Sequence, residues 1–432
     1  MNEGYRAIRH SAEHGAIYVK MMLKWTFLAI ISGIVCGLIG TLFHYCVDFA
    51  TETNHTYAWM LYFLPLAGVL IVFLYRACGV YEDEGTNRVI ASIRSVKDVP
   101  ANMTFLIFAG TVLTHLCGGS SGREGAALQI GGSMGYLLGR IFRLDQNEKR
   151  IITMCGMSAL FSALFGTPLA AAVFSLEVVT VGIMNYMALL PCVISAAIAY
   201  VIAGQFGISP MAWTITSVPA LSILSVLQVF LITLLASVLS GMFVMGLHLY
   251  SKTARKLVPN PYLRVIIGGF LVIGLTLLCR TRDYNGAGTA VIDLAFTGGV
   301  VWYACLLKLI FTIVTMGSGF KGGEIIPSFF MGATMGSVVG GLIGLPVSFG
   351  AAIGMISVFC CVVNCPIASM IISVELFGSE GLLYFALACA LGYLVSGYFS
   401  LYSSQRFAYP KAPMHHTDQR DLSKDAEDWD RE

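Results

Sequence analysis

GGSSGREG at residues 118–125 and GSGFKGGEIIP at residues 317–327 interrupt an otherwise apolar sequence in the same manner. Each stretch is rich in glycine and contains a glutamate, Glu124 or Glu324, shortly before an apolar run. The two glutamates are 200 residues apart. This arrangement predicts two helices that begin within apolar surroundings, one in each half of the chain.

The similarity between the halves continues beyond these stretches. The segment 156–177 is matched 198 residues later by the segment 354–375, and in both a proline stands nine residues before the final glutamate. A weaker match joins GTN at residues 85–87 to GAG at residues 286–288. Because chance similarity would not keep glycine, proline and glutamate at a nearly constant offset, the sequence predicts an internal repeat. Transporters commonly use inverted repeats, although the matching itself does not show the orientation.

The composition excludes an ordinary soluble protein. Of 432 residues, 57% are hydrophobic and only 12% are charged, whereas soluble domains carry about 25% charged residues. The net charge of +2 offers no concentrated basic face for a nucleic acid. The twelve cysteines show no spacing typical of a zinc site, so neither a metal nor a cofactor is expected.

Apolar runs of membrane-spanning length alternate with shorter ones. About 20 apolar residues are needed to cross the hydrocarbon core, and six runs meet this length: 25–50, 57–75, 187–206, 219–249, 299–318 and 382–401. Six others fall short: 103–117, 126–139, 151–165, 168–182, 349–363 and 366–377. Broken helices at membrane depth require protein or water around them, and in matched halves they indicate a transport site. The sequence predicts an all-α polytopic membrane protein with repeats at 25–206 and 219–402.

The two ends of the chain are polar. Residues 1–24 carry basic side chains before the first apolar run, which favours a cytoplasmic N-terminus. That run is too long for a signal-peptide core and lacks a cleavage site. Residues 403–432 are too few for a soluble regulatory domain of usual size and are expected to form a cytoplasmic tail. A multi-pass protein of the cell membrane is therefore predicted.

The stretch Gly122-Arg123-Glu124-Gly125 has the features of an anion site. A helix start presents unpaired backbone N–H groups and a partial positive charge, and glycine lets the backbone approach a ligand closely. Glu124 stands where the anion would bind, so its protonation would empty the position and couple proton movement to anion movement. The alternative is that Glu124 only caps a surface helix.

The second stretch repeats this arrangement, with Gly323 before Glu324 and Ile325 and Ile326 after it. The backbone N–H groups near Ile325 are candidate anion donors, and Glu324 is a second candidate for proton transfer, because carboxylates within membrane segments are costly and usually functional. An ion pair with Lys321 or a structural cap is the alternative for Glu324. Glu177 and Glu375 are expected to cap neighbouring helices.

Three further residues give weaker signals. Thr86 and Asn87 follow an acidic loop and could offer a hydroxyl and an amide to a dehydrated anion, or could simply begin a polar helix. Tyr402 follows the last apolar run, where a tyrosine is usually an interfacial anchor.

These motifs together resemble those of the CLC chloride channel and transporter family. Residues 118–125 are similar to its GREGP-type motif, residues 322–327 to its GxFxP-type motif, and Leu401-Tyr402-Ser403 to the segment that supplies its central tyrosine. The resemblance implies a homodimer of inverted-repeat subunits, each with its own anion pathway, in which Glu124 is the gating and proton-transferring glutamate. It assigns the anion-binding residues as Thr86, Asn87, Gly122, Arg123, Gly125, Gly323, Ile325, Ile326 and Tyr402.

The branch of the family decides the substrate. Residues 85–87 and 317–324 are closest to the fluoride/proton antiporters, whereas Ala126 and Ile326 stand where that branch commonly has threonine. Val178 replaces the second glutamate of proton-coupled chloride members, and the fluoride branch similarly lacks that glutamate and has one matching Glu324. Halide/proton antiport, with fluoride or chloride as the halide, is therefore expected, and a passive chloride channel is the alternative. A membrane enzyme would need a nucleophile–base pair or metal ligands, which the sequence does not offer.

Overall fold

The computed structural model describes residues 2–81, 84–94 and 98–411. These ranges contain sixteen α-helices, two 3-10 helices and one pair of short strands. The α-helices are α1 (Asn2–Thr56), α2 (Leu64–Ala77), α3 (Thr86–Arg94), α4 (Met103–Leu116), α5 (Glu124–Ile141), α6 (Gln146–Phe165), α7 (Pro168–Glu177), α8 (Leu189–Gln205), α9 (Ile223–Leu257), α10 (Pro261–Cys279), α11 (Thr289–Thr297), α12 (Ala304–Ser318), α13 (Ile325–Leu342), α14 (Val347–Val363), α15 (Pro366–Phe377) and α16 (Leu382–Val395). The 3-10 helices are Ala58–Phe63 and Tyr186–Ala188, and the strands are β1 (Thr180–Val181) and β2 (Arg406–Phe407).

The helices of the two halves pack in the same order. In the first half α6 contacts α1, α5 and α8, and in the second half α14 contacts α9, α13 and α16. The break between the halves lies between the end of α8 at Gln205 and the start of α9 at Ile223. The start predicted for repeat 1, residue 25, falls inside α1.

The central helix pair of each half crosses at glycines. A Cβ atom on Gly156 of α6 would lie 2.1 Å from the carbonyl oxygen of Gly131 on α5, and one on Gly354 of α14 would lie 2.2 Å from the carbonyl oxygen of Gly332 on α13. Small residues allow helix backbones to pack this closely in membranes. The same contact is therefore made by matched residues in both halves.

Reciprocal hydrogen bonds join the two halves at α7 and α15. The Glu177 carboxylate, at the end of α7, accepts from two backbone N–H groups at the start of α15, 3.1 and 2.8 Å away. The Glu375 carboxylate, near the end of α15, accepts from two N–H groups at the start of α7, 2.9 and 2.8 Å away. This confirms the expected capping role of both glutamates. Since each helix end meets the other helix's start, α7 and α15 are antiparallel and related by an approximate two-fold axis.

The membrane spans differ in part from the expected ones. Six helical segments within the described part of the chain are long and apolar enough to cross a membrane: Ile17–Thr56, Ala58–Ala77, Tyr186–Gln205, Ile223–Leu257, Pro261–Cys279 and Ile325–Leu342. The prediction of full-length spans at 299–318 and 382–401 was wrong, because the chain is helical there only over Ala304–Ser318 and Leu382–Val395. The span of α10 was missed because Arg264 lies near its start, and that of α13 because glycines divide its apolar pattern.

The segment predicted as a tail begins as part of the folded structure. Strand β2 pairs in parallel with β1, and Lys411 donates a hydrogen bond to the carbonyl oxygen of Tyr393 at 2.7 Å. Residues 403–411 are thus packed against the helices. The remainder of the predicted tail, residues 412–432, lies outside the described residues.

Candidate functional site

The two glycine-rich stretches meet in a short antiparallel bridge. The N–H of Gly122 donates to the carbonyl oxygen of Gly323, and the N–H of Gly323 donates to that of Gly122, both at 2.7 Å. The bridge holds the start of α5 beside the start of α13. First-turn N–H groups have no partner within their own helix, so two sets of backbone donors lie close together here.

Glycine is required at this bridge because the two backbones touch there, and both glutamate side chains also lie against it. A Cβ atom on Gly323 would lie 2.3 Å from the backbone nitrogen of Gly125. A Cβ atom on Gly122 would be 2.7 Å from Oε2 of Glu124, and one on Gly125 would be 2.9 Å from Oε2 of Glu324. The structure therefore brings both predicted glutamates to the same pair of helix starts.

Glu124 is buried, with 1% of its surface exposed. Its Oε2 accepts a hydrogen bond from the Arg123 backbone N–H at 2.9 Å, so the carboxylate folds back over the start of its own helix. Its Oε1 has no hydrogen-bond partner among the described residues and lies 3.6 Å from Arg123 Nε. The carboxylate thus occupies the end of the helix where an anion would be held.

Arg123 also pairs with a second carboxylate, so it lies between Asp48 and Glu124. Its Nη1 donates to Oδ1 of Asp48 at 2.7 Å, and Oδ2 of Asp48 lies 3.0 Å from Nε2 of His44. The Asp48 side chain is half exposed, whereas that of Arg123 is largely buried. A chain of ionisable groups therefore leads from the surface near the end of α1 to Glu124.

Glu324 has a different environment. It directly precedes α13, is partly buried, and makes no side-chain hydrogen bond that caps this helix. It lines a cavity of about 500 Å³ together with basic side chains on other elements, among them Arg255 and Arg264. Lys321, the ion-pair partner in the alternative interpretation of Glu324, lies with Nζ 4.6 Å from the centre of the Tyr75 ring. Glu324 is therefore reached from the open cavity, while Glu124 is enclosed by protein.

The start of α3 reaches the same place. The Thr86 hydroxyl donates to the Gly125 carbonyl oxygen at 3.4 Å and accepts from Gln129 Nε2 at 3.1 Å. Oδ1 of Asn87 accepts from the Ser404 backbone N–H at 2.9 Å. Thr86 thus contacts the start of α5, while Asn87 ties α3 to the segment that follows Tyr402 and also lines the cavity.

Tyr402 is buried and lies near Glu324. Its hydroxyl has no hydrogen-bond partner within the described ranges. The expectation that it follows a full-length span was wrong, because α16 ends at Val395 and Tyr402 lies on non-helical chain. Hydrogen bonds of Ser400 and Gln405 hold this chain in place.

Ile325 and Ile326 complete the site from the side of α13. Both are buried, and a Cβ atom on Gly122 would lie 3.1 Å from Cβ of Ile326. Their side chains supply no polar group, so α13 can offer only backbone donors at these positions. Within residues 2–81, 84–94 and 98–411, no three histidine, cysteine, aspartate or glutamate side chains are grouped so as to hold a metal ion.

Comparison with known proteins agrees with this geometry. The sequence pattern of the voltage gated chloride channel family matches residues 67–397. The chain belongs to this family. It is 36% identical over 395 residues to a chloride/fluoride channel protein of Pseudomonas syringae pv. tomato, and the alignment covers 90% of this chain and 87% of that protein.

Two further relatives of this CLC-family chain are exchangers. The crystal structure of a CLC-type fluoride/proton antiporter matches with a TM-score of 0.86 and 32% identity, covering 89% of this chain and 98% of that one. The H(+)/Cl(-) exchange transporter ClcA of Vibrio cholerae is 25% identical over 409 residues, covering 85% of each chain. These three relatives are channels or transporters rather than enzymes.

Sequence reasoning missed two contributors to this CLC-family site. Gln129 binds the Thr86 hydroxyl, and Asp48 binds Arg123. Gln129 is a polar residue inside the apolar run 126–139, and Asp48 is an acidic residue inside the run 25–50. A polar side chain in such a run is the signal that could have identified both.

Proposed function

We propose that the protein exchanges fluoride, or another halide, for protons across the membrane, and that Glu124 is the gating carboxylate. The observation that carries this proposal is the position of Glu124, buried and folded over the start of α5. When ionised, its carboxylate takes the place of an anion at a helix start. When protonated, it loses the attraction to the helix start, moves aside and admits the anion.

Glu324 is proposed as the second proton-handling group. It lies at the same bridge but lines the open cavity, so protons can reach it from the solution on that side. The two carboxylates thus face different routes and share one anion position. The residue at position 178 supports this division. Chloride/proton exchangers of the CLC family carry a glutamate at this place, whereas Val178 cannot titrate.

The anion position is proposed to lie among the backbone N–H groups of α5 and α13, beside Thr86 and Tyr402. Gly122, Arg123, Gly125, Gly323, Ile325 and Ile326 would supply the backbone of this position, and Asn87 would order the cavity wall. Fluoride is the strongest hydrogen-bond acceptor among the halides, and a site made of close backbone donors suits it. The fluoride branch is also favoured by the similarity to the fluoride/proton antiporter.

An efflux assay tests this proposal. The protein is reconstituted in vesicles, and fluoride or chloride release is recorded together with external pH. We expect proton movement opposite to fluoride movement at a fixed ratio, and faster release of fluoride than of chloride. Fluoride or chloride release with no proton movement would instead establish a passive channel.

Glu124→Gln tests the gating role in the same assay. The neutral amide cannot release a proton, so we expect coupled proton movement to fall to the level of protein-free vesicles while anion movement continues or changes in rate. Asp145, which caps α6 at the surface, provides the control variant Asp145→Asn. Proton movement at the wild-type ratio in Glu124→Gln would overturn the assignment.

We further propose that the chain forms a homodimer in the cell membrane, with both termini cytoplasmic, as the family resemblance implies. Light scattering of the purified protein measures the oligomeric state. A mass of one chain after subtraction of the detergent would contradict the dimer.

A further inference from the structure

A second, smaller cavity lies at the start of α11. Its volume is about 170 Å³, and its walls come from the last turns of α1, from His115 on α4 and from the loop around Arg282. Thr51 and His55 are the lining residues on α1. None of these side chains belongs to the proposed exchange site.

This cavity is the repeat counterpart of the cavity that contains Glu324. Thr51 and His55 near the end of α1 correspond to Ser251 and Arg255 near the end of α9, 200 residues later, and the latter pair lines the larger cavity. Helices α3 and α11, which open onto the two cavities, are each nine residues long. Since α7 and α15 of the two halves run antiparallel, the two cavities belong to opposite faces of the membrane.

The structure corrects the alignment of these two helix starts. Sequence matching pairs Gly85 with Gly286, but the residue directly before α3 is Gly85 and the one directly before α11 is Gly288. Both have left-handed backbone conformations, with φ of +61° and +78°. The two starts are therefore built alike, one on each side of the protein.

The small cavity contains buried polar atoms without partners. His115 is 3% exposed; its Nδ1 donates to the Thr111 carbonyl oxygen at 2.9 Å, and its Nε2 has no hydrogen-bond partner among the described residues. Arg282 donates from Nη2 to the Asn54 carbonyl oxygen at 2.8 Å, while its buried Nε likewise has no partner there. Buried polar groups are normally satisfied, so these two atoms leave room for a polar partner in the cavity.

The walls of the cavity are rigidly supported. Lys308 is fully buried and donates from Nζ to the carbonyl oxygens of Tyr284 and Gly286, at 3.2 and 2.7 Å. The N–H of Gly286 donates in turn to the Gly119 carbonyl oxygen at 3.1 Å. The loop before α11 is therefore fixed both to α12 and to the stretch that leads to Glu124.

We propose that this cavity is a second anion site, which receives a small monovalent anion on the face opposite the Glu324 cavity. The donors are the Arg282 Nε–H and the first N–H groups of α11, whose helix start favours an anion. Asp283 also lines the cavity and is exposed, so its charge is screened by water. The site's use in transport rests on the proposed function, but its occupancy by an anion does not.

His115 makes anion binding depend on a proton. Because Nδ1–H is committed to Thr111, the neutral ring presents the lone pair of Nε2 to the cavity, and a lone pair repels an anion. An anion is therefore accommodated best when Nε2 also carries a proton. Three charged residues on different parts of the fold lie near the ring: Arg123 just before α5, Lys308 on α12 and Asp48 on α1. The cavity itself adds the charges of Arg282, Asp283 and His55.

Equilibrium binding tests the site without requiring transport. Sodium fluoride and sodium chloride are titrated calorimetrically into the purified full-length protein, in a Glu124→Gln background and without it. For at least one of the two salts we expect a binding event that persists in Glu124→Gln, weakens by about tenfold in Arg282→Gln and strengthens as pH falls. Arg280→Gln is the matched control, because Arg280 lies two residues away, is exposed and does not line the cavity.

His115→Asn provides a second variant. The asparagine amide can keep the bond to Thr111 while removing the group that faces the cavity, so we expect anion binding to remain but to lose its dependence on pH. If Arg282→Gln does not fold, His115→Asn still tests the proposed anion site. The proposal is overturned if no binding event for either anion persists in Glu124→Gln, or if that event is unchanged in both Arg282→Gln and His115→Asn. Failure of halide/proton exchange in vesicles would contradict the proposed function but not the second anion site.

Discussion

Glu124 and Glu324 hold matching positions in the two halves but have unlike surroundings. Glu124 is enclosed and bonded to the start of its own helix, whereas Glu324 lines a cavity that also contains basic side chains. A carboxylate in contact with water can exchange protons readily, while an enclosed one does so only when the structure opens. The difference supports the proposal that two similar sequence motifs serve two steps of one transport cycle.

Glu324→Gln tests this difference directly. The amide is close in shape to the carboxyl group but does not ionise, so we expect coupled exchange in vesicles to fall at least tenfold with the fold intact. Glu380→Gln, at an exposed position after α15, is the control and should exchange at the wild-type rate. If Glu324→Gln still pumps protons against a gradient at the wild-type ratio, Glu324 has a structural role only.

For individual residues, the sequence predicted the glycine-rich stretches but not all of the side chains that contact them. Gly122, Glu124, Gly323 and Glu324 stand out because glycine and glutamate are unusual beside apolar runs. The contact of Asp48 with Arg123 joins residues 75 positions apart, and only the packing of α1 against α5 brings them together. Such long-range pairs produce no local sequence pattern from which the contact could be predicted.

Among the helices, the glycine crossings decide how closely α5 and α6, and α13 and α14, can pack. In both Gly156→Ala and Gly354→Ala the new methyl group would meet a backbone oxygen. We expect each variant to lose about 1–3 kcal/mol of stability, measured by thermal unfolding in detergent. Gly274→Ala on α10 has open space around it and should be neutral or slightly stabilising; equal behaviour of all three variants would contradict the role of the crossing.

The reciprocal caps of α7 and α15 provide a second test among the helices. Glu177→Gln removes the charge from a carboxylate that accepts two backbone hydrogen bonds, and we expect a loss of about 1–3 kcal/mol. Glu375→Gln should lose less, because Glu375 is more exposed than Glu177. Thermal unfolding beside the Glu380→Gln control measures both, and a Glu177→Gln protein as stable as that control would show that the cap is dispensable.

Helix lengths were the part of the fold that the sequence predicted least well. Apolar composition continues through residues 299–303 and 396–401, but Gly298 and Gly397 have left-handed backbones there and the chain is not helical. Hydropathy measures preference for the membrane and not backbone conformation. In the sequence, a buried non-helical segment such as the one carrying Tyr402 therefore cannot be distinguished from the end of a membrane-spanning helix.

For the whole molecule, the inverted relation of the halves predicts which face each cavity opens to. His55 and Arg255, corresponding exposed residues near the ends of α1 and α9, should lie on opposite sides of the membrane. With Cys78, the exposed cysteine among the described residues, replaced by serine, we expect a membrane-impermeant thiol reagent to label His55→Cys in intact cells.

Arg255→Cys should be labelled only after the membrane is permeabilised, since the proposed cytoplasmic N-terminus would place the end of α1 outside and the end of α9 inside. Labelling of both variants in intact cells would refute the inverted arrangement. Labelling of Arg255→Cys alone would keep the inversion and reverse the orientation of the chain.

The mutual caps between α7 and α15 also constrain how the protein is made. While only the first half has left the ribosome, Glu177 is a carboxylate without its backbone donors and the start of α7 has no acceptor. Neither deficiency is relieved until α15 has been synthesised and inserted, close to the end of translation. The first half is therefore an unfinished structure throughout its own synthesis, and a chain that stops before α15 leaves both the Glu177 carboxylate and the start of α7 without their partners.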